Sequence, residues 1–153
     1  GAQHVLLNGE DVSSEIRTPE IAYYASRVSA VPEVREFLLN TQRDMAKNGN
    51  ILMDGRDIGT VILPDAPVKI FLTASAESRA ERRYKELAEK GQQVTMESVL
   101  HDINERDRQD MNRAIAPLRQ AEDAVLLDTS ALTLEESIAS VLRIIREKTE
   151  ENK

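Results

Sequence analysis

Val68-Lys69-Ile70-Phe71-Leu72-Thr73-Ala74-Ser75 is the stretch on which the fold turns. Its apolar run from Val68 to Leu72 is too short for a helix and reads as a buried strand. Ser75 then caps a helix that runs to Gly91. Downstream, Ala124-Val125-Leu126-Leu127 is a second run of the same kind, and Thr133 with Glu136 forms a capping box for a final helix. That helix is predicted to turn Ile138, Val141, Leu142 and Ile145 inward. Between the two strands, Thr95 caps a helix with Met96, Val99, Leu100 and Ile103 inward. Upstream, Ile51-Leu52-Met53 reads as a third short buried strand. Strands that alternate with helices predict an α/β protein with a parallel sheet flanked by helices.

The N-terminal third carries different signals. Residues 3–7, Gln-His-Val-Leu-Leu, followed by Asn8-Gly9, predict a short strand and a turn. Thr18-Pro19-Glu20 starts a helix: a cap, a proline at the first helical position and an acid in the first turn. Ile21, Tyr24, Ala25 and Val28 recur there at helical spacing. Pro32 opens a second helix with Val34, Phe37, Leu38, Thr41 and Met45 on one face, and Gly49 closes it. Tyr23 and Tyr24 are expected to pack rather than to stack on a base. A small, partly helical lobe is therefore predicted before about residue 48. The tail from Glu147 to Lys153 is charged, and fraying is expected there.

Composition narrows the function. The 153 residues hold 20 Lys and Arg against 27 Asp and Glu, a net charge of −7. An acidic chain is a poor non-specific ligand for nucleic acid or an anionic membrane. With three Tyr, two Phe and no Trp, it offers little aromatic surface for stacking bases. It has no cysteine, so neither disulfides nor thiol chemistry enter, which agrees with a cytoplasmic setting. No apolar run approaches a membrane span. Fourteen of the 20 basic residues are Arg. Many must be solvated helix surface, but Arg is also the side chain that forks onto phosphate.

Three constellations could use that property. In parallel sheets ligands sit beyond the carboxyl ends of the strands. After the first predicted strand comes Asp54-Gly55-Arg56-Asp57-Ile58-Gly59-Thr60. Arg56 can grip a phosphate there, and Asp54 can hold a metal or its water. The same residues would also serve as a polar turn with an internal Arg–Asp pair. A second signal lies on one face of the helix from Thr95: Met96, Val99, Ile103, Arg106, Asp110, Arg113. The stripe begins apolar and ends Arg-Asp-Arg. Either the helix stops near Asp107 and its charges are solvated, or it runs from the core into an anion-binding cleft; the periodicity favours the second. Ser26 and Arg35, on the two N-terminal helices, form a third and weaker signal. His4 and His101 are single, without metal-ligand spacing, and read as structural or solvated.

These residues carry a resemblance to a known family. Residues 29–35 (Ser-Ala-Val-Pro-Glu-Val-Arg), 53–61 (Met-Asp-Gly-Arg-Asp-Ile-Gly-Thr-Val) and 105–118 (Glu-Arg-Asp-Arg-Gln-Asp-Met-Asn-Arg-Ala-Ile-Ala-Pro-Leu) resemble bacterial cytidylate kinase, a nucleoside monophosphate kinase. The likeness covers essentially the whole chain. It implies a P-loop-kinase-type sheet, with residues 1–48 part of the lobe that binds the monophosphate. Residues 49–153 would be the kinase core, with a short lid over about 79–113. It implies transfer of the γ-phosphoryl group of ATP to CMP or dCMP with Mg²⁺, by a monomer in the cytoplasm. Ser26, Arg35 and Asp57 match positions that read cytosine, and Arg56 matches the grip on the nucleotide's own phosphate. Arg106 and Asp110 match positions at the pentose and phosphates, and Arg113 the acceptor-phosphate side. Asp54 matches the acid near Mg²⁺, and Arg82 and Arg83 the lid arginines that reach the ATP phosphates.

The family also carries Gly-x-x-x-x-Gly-Lys-[Ser/Thr] on a strand-to-helix turn, and no such pattern occurs in these residues. The chain is therefore expected to be the larger, C-terminal part of such an enzyme. By itself it is expected to be inactive and open to self-association through exposed strand edges. The competing reading is a nucleotide-binding or interaction module that uses the same arginines without phosphoryl transfer.

Overall fold

The computed structural model describes residues 4–47 and 49–151. The chain divides into two compact units, Gly1–Gly49 and Asn50–Lys153.

The first unit opens with an antiparallel hairpin of β1 (Leu6–Leu7) and β2 (Glu10–Asp11). Asn8 and Gly9 make its turn with φ of 53° and 88°, the pair of left-handed conformations that an Asn-Gly turn accepts. Gln3, placed in the predicted strand, lies outside the described residues. His4 has a structural role in the hairpin: its Nδ1 sits 2.6 Å from Asp11 Oδ2. Helices α1 (Pro19–Val28) and α2 (Pro32–Lys47) follow, and the Thr18 hydroxyl accepts from the Ile21 N–H as the predicted cap. Gly49 has φ +148°, a conformation that suits glycine, while Asn48 before it lies outside the described residues.

The inward faces expected of these helices are not buried. Phe37 is 78% exposed, Tyr23 and Tyr24 are half exposed, and no residue of α2 is buried. Periodicity tells which side of a helix is apolar; burial needs a surface to cover it.

The second unit holds β3 (Ile70–Thr73) and β4 (Val125–Asp128), paired in parallel with Ile70 opposite Val125 and Thr73 opposite Asp128. Between them run α3 (Ala76–Glu89) and α4 (Met96–Asn112); α5 (Leu134–Glu151) closes the unit. This is the predicted mixed α/β arrangement, a small parallel sheet flanked by helices. The caps work as read: the Ser75 hydroxyl accepts from the Ser78 N–H, and Thr95 and Ser98 satisfy each other's backbone N–H groups. Thr133 and Glu136 do the same at α5. Helices α3 and α4 pack on each other around Ala80, Leu87 and Val99, with Val94, Met96, Leu100 and Ile103 partly buried beside them. Among the described residues, no helix is long and apolar enough to cross a membrane.

Two expectations fail here. Ile51–Met53 forms no strand, and Leu52 is 86% exposed. A strand needs a neighbour to accept its ladder, and no described segment pairs with these residues. The Asp54–Thr60 motif therefore does not sit at a strand end. On α5, Ile144 is the buried residue, at 4% exposed, whereas Ile138 and Leu142 stand about half exposed. The helix is rotated from the face that spacing suggested, because its middle turns offer adjacent apolar pairs, Val141–Leu142 and Ile144–Ile145.

The loops before the two strands are joined by a buried lysine. Lys69 Nζ donates to both Asp123 carboxylate oxygens, at 2.8 and 2.6 Å, and to the Pro64 carbonyl. Its side chain is only 8% exposed. A Cβ on Gly59 would come within 3.3 Å of Lys69 Cδ, so residue 59 has little room for a side chain.

The hydrogen bonds from Lys69 hold the Asp123 carboxyl below its ordinary pKa. A carboxylate whose folded pKa is depressed contributes stability above its unfolded pKa and loses it as pH falls through the folded value. Replacing Asp123 by Asn is therefore expected to flatten the acid side of the stability profile at and below the ordinary carboxylate range. Urea midpoints measured from neutral pH downward check this; an unchanged acid limb in the variant refutes it.

Candidate functional site

Helix α4 continues past Asp107 to Asn112, so the charged half of its stripe is helical. Val99 is buried at 6% and Asp110 at 7% on that stripe, with Arg106 exposed between them. A buried carboxylate on a helix face needs a cation, and Asp110 finds Arg56: Nε donates to Oδ2 at 3.0 Å. One residue on, Asp57 is buried at 7% and faces Arg113, with Oδ1 3.4 Å from Nη2. The neighbours Arg56 and Asp57 thus each meet an opposite charge on the same helix end, three residues apart. The motif does hold Arg–Asp pairs, but they run to α4 and not within the turn.

Local backbone explains the placement. The Val61 and Ile62 N–H groups return to the Asp57 carbonyl, and the Leu63 N–H to Ile58, so the chain after Asp57 coils into a wide π-type turn over Ile58–Ile62. Ile62 is buried at its end. Such turns interrupt regular structure and recur at functional sites. At Gly55 a Cβ would lie 2.9 Å from Ile58 Cγ1, so Ile58 folds back over the glycine.

On the other side, Arg113 ends α4 in an extended conformation, and its Nε donates to the Ala116 carbonyl at 2.5 Å. Ala116 holds φ +49°, left-handed for a residue that is not glycine, and the Leu118 N–H returns to the Asp110 carbonyl at 2.8 Å. The Asn-Arg-Ala-Ile-Ala-Pro segment is thus a tight return loop whose geometry fixes Arg113.

The arginines are not fully used by protein groups. Arg113 is 90% buried by side chain, and its Nη2 has no hydrogen-bond partner among the described residues. That nitrogen faces Asp57 Oδ1 at 3.4 Å, an ion pair between two buried groups. Arg56 spends Nε on Asp110, and its terminal Nη groups carry no hydrogen bond among the described residues. Arg106 is exposed, one helical turn before Asp110, and makes no hydrogen bond or ion pair among the described residues. Arg56 and Arg113, held against Asp110 and Asp57 at one helix end, keep guanidinium donors to spare on Arg56. That arrangement can take an oxyanion.

The other sequence candidates fall as follows. Asp54 is exposed and carries no hydrogen bond or ion pair among the described residues. No described group of three acids or histidines could hold a metal. A cation at Asp54 would therefore have to bring most of its oxygens from water or a phosphate ligand, which is how Mg²⁺ prefers to be held. Arg82 donates to the carbonyl oxygens of Thr129, at 2.5 Å, and Leu132, at 3.5 Å, and Arg83 pairs with Glu86 on the same helix at 2.7 Å. In the first unit, Arg35 donates to the Ser29 carbonyl at 3.1 Å, and Ser26 is half-buried on α1.

Sequence reasoning did not single out Arg79 and Asp107. Arg79 grips both Asp107 oxygens at 2.6 and 3.0 Å across 28 residues of chain. Only the adjacency of Asp107 to the charged stripe could have suggested it.

A small parallel sheet flanked by helices, with Arg56 and Arg113 at one helix end, is consistent with a nucleoside monophosphate kinase type of fold. Sequence comparison agrees. The cytidylate kinase family model matches residues 1–147. The chain is 56% identical over 142 residues to the cytidylate kinase of Thermosipho melanesiensis, covering 93% of this chain and 65% of that protein. It is 54% identical over 144 residues to that of Caldicellulosiruptor saccharolyticus, covering 94% and 64% respectively. For the Enterobacter sp. enzyme the identity is 53% over 148 residues, 97% of this chain and 65% of the relative. The chain thus belongs to the cytidylate kinase family, and it spans about 65% of the length of these curated relatives.

Proposed function

We propose that the complete protein transfers the γ-phosphoryl group of ATP to CMP or dCMP, and that the residues described here bind and orient the acceptor nucleotide. The observation that carries this reading is Arg56, whose side chain is 42% exposed and whose Nε is fixed on the buried Asp110 while its terminal Nη groups stay unspent among the described residues, at the helix end where Arg113 meets Asp57. An incoming phosphate supplies the missing acceptors. Phosphoryl transfer asks for alignment and charge neutralisation more than for a nucleophilic side chain, and these groups suit that demand.

The family resemblance implies the roles. Arg56 grips the nucleotide's own phosphate, and Arg113 stands on the acceptor-phosphate side. Arg106 and Asp110 meet the pentose and phosphates. Asp57, Ser26 and Arg35 read cytosine, with Asp57 accepting from the exocyclic amine. A short lid over about residues 79–113 carries Arg82 and Arg83, which approach the ATP phosphates. Asp54 holds Mg²⁺ through water; the ion, carried by the nucleotide, neutralises charge on the phosphate oxygens. The loop and lysine that cradle the ATP phosphates in this family have no counterpart in these residues.

A coupled assay checks the reading. The complete protein is expected to convert CMP and dCMP to diphosphates with ATP and Mg²⁺, and to use UMP less well. The 153-residue chain alone is expected to show turnover lower by orders of magnitude, because transition-state charge stabilisation is lost. Robust activity of the purified chain alone would overturn the second statement. Binding of CMP without turnover in the complete protein would replace the enzyme reading with a nucleotide-binding module.

A further inference from the structure

We infer that Arg79 and Asp107 form a positioning pair that holds α4, and with it Asp110, at the rotation needed by the proposed acceptor site; the inference deepens the reading above and rests on it. Arg79 makes one hydrogen bond from each guanidinium nitrogen. Nε donates to the Ala74 carbonyl at 3.0 Å, Nη1 to Asp107 Oδ1 at 3.0 Å and Nη2 to Oδ2 at 2.6 Å. Ala74 is buried and stands between the end of β3 and the Ser75 cap of α3. That corner is rigid on independent grounds. The Ser75 N–H donates to Ser130 Oγ at 2.7 Å, and the Thr129 N–H and hydroxyl both donate to the Thr73 carbonyl. Arg79 therefore ties the middle of α4 to the fixed end of the sheet.

The tie is directional. A bidentate fork sets the orientation of a carboxylate as well as its distance. Asp107 lies between Arg106 and Asp110 on α4, so fixing its azimuth fixes theirs. Asp110 is turned inward to Arg56, and Arg106 is left outward. An exposed ion pair would contribute little, but this one is partly screened from water, at 36% and 26% exposed, and carries a third hydrogen bond. Lysine at 79 keeps the charge and loses the fork.

The test uses Arg79→Lys and Asp107→Asn in the complete protein, with two readouts. The first is amide exchange. The Leu118 N–H, bonded to the Asp110 carbonyl, reports the end of α4, and the Val125 N–H, bonded to the Lys69 carbonyl, reports the opposite end of the sheet. Both variants are expected to speed exchange at Leu118 by about tenfold and leave Val125 unchanged. The second is kinetics, with kcat for CMP expected to fall about tenfold while KM for ATP stays near wild type. Unchanged Leu118 exchange overturns the inference, and so does equal acceleration at both amides, which would make the pair a general stabiliser. A wild-type protein that does not phosphorylate CMP defeats the proposed function instead, and the exchange result still decides this one.

Discussion

In the complete protein, methionine at Arg113 is expected to lower kcat/KM for CMP by about two to three orders of magnitude, the range seen when one preorganised donor to a developing charge is removed. The expectation comes from burial and valence together. The Arg113 guanidinium is 90% withdrawn from water, its Nε is anchored on the Ala116 carbonyl, and its Nη2 has no hydrogen-bond partner among the described residues. It is thus held in place by protein groups, Ala116 and Asp57, where water screens charge weakly. Arg108 provides the comparison. It lies on the same helix with its side chain 68% exposed and is bonded to Glu105, and methionine there is expected to leave kcat/KM within about twofold of wild type, as for most surface substitutions. Steady-state rates at a temperature where all variants are folded by thermal unfolding measure the contrast. A loss at Arg113 no larger than at Arg108 would remove Arg113 from the chemistry.

Replacing Asp57 by alanine is expected to cost about 3–5 kcal/mol of folding stability, because it strands a buried guanidinium without its counter-charge. The pair is buried on both sides, at 10% and 8% exposed. The double variant Asp57→Ala with Arg113→Met should recover part of that loss, since it removes the stranded charge as well. Urea unfolding of the 153-residue chain measures all three variants without any assumption about activity. Strictly additive losses would show that the two groups do not interact.

The same substitution probes base recognition in the complete protein. A residue that accepts from the cytosine amine matters more to CMP than to UMP. The CMP:UMP ratio of kcat/KM should therefore narrow in Asp57→Ala. In a variant of Arg56, proposed to meet the phosphate common to both nucleotides, the ratio should stay as it is. Equal losses for CMP and UMP in Asp57→Ala would leave Asp57 as the partner of Arg113 alone.

What the sequence determined by itself was everything set within about one helical turn. The caps at Thr18, Ser75, Thr95 and Thr133, the Asn8-Gly9 turn, the two strands that pair and the run of α4 beyond Asp107 are readable because each rests on neighbours a few residues away. The motifs of residues 53–61 and 105–118 were enough to point to the family. What only the tertiary structure decided was which of these groups meet. Arg56 finds Asp110, and Lys69 finds Asp123, across 54 residues, and Arg79 finds Asp107 across 28. No local rule carries such a pairing, since it depends on where the chain returns. Burial lay beyond sequence for the same reason. The apolar faces of α2 and α5 were legible, but whether Phe37, Ile138 or Ile51–Met53 is covered depends on a neighbouring surface that periodicity does not describe. Even Asp57 and Asp110, both visible as acids beside arginines, are paired only because the fold buries each of them opposite the arginine of the other's segment.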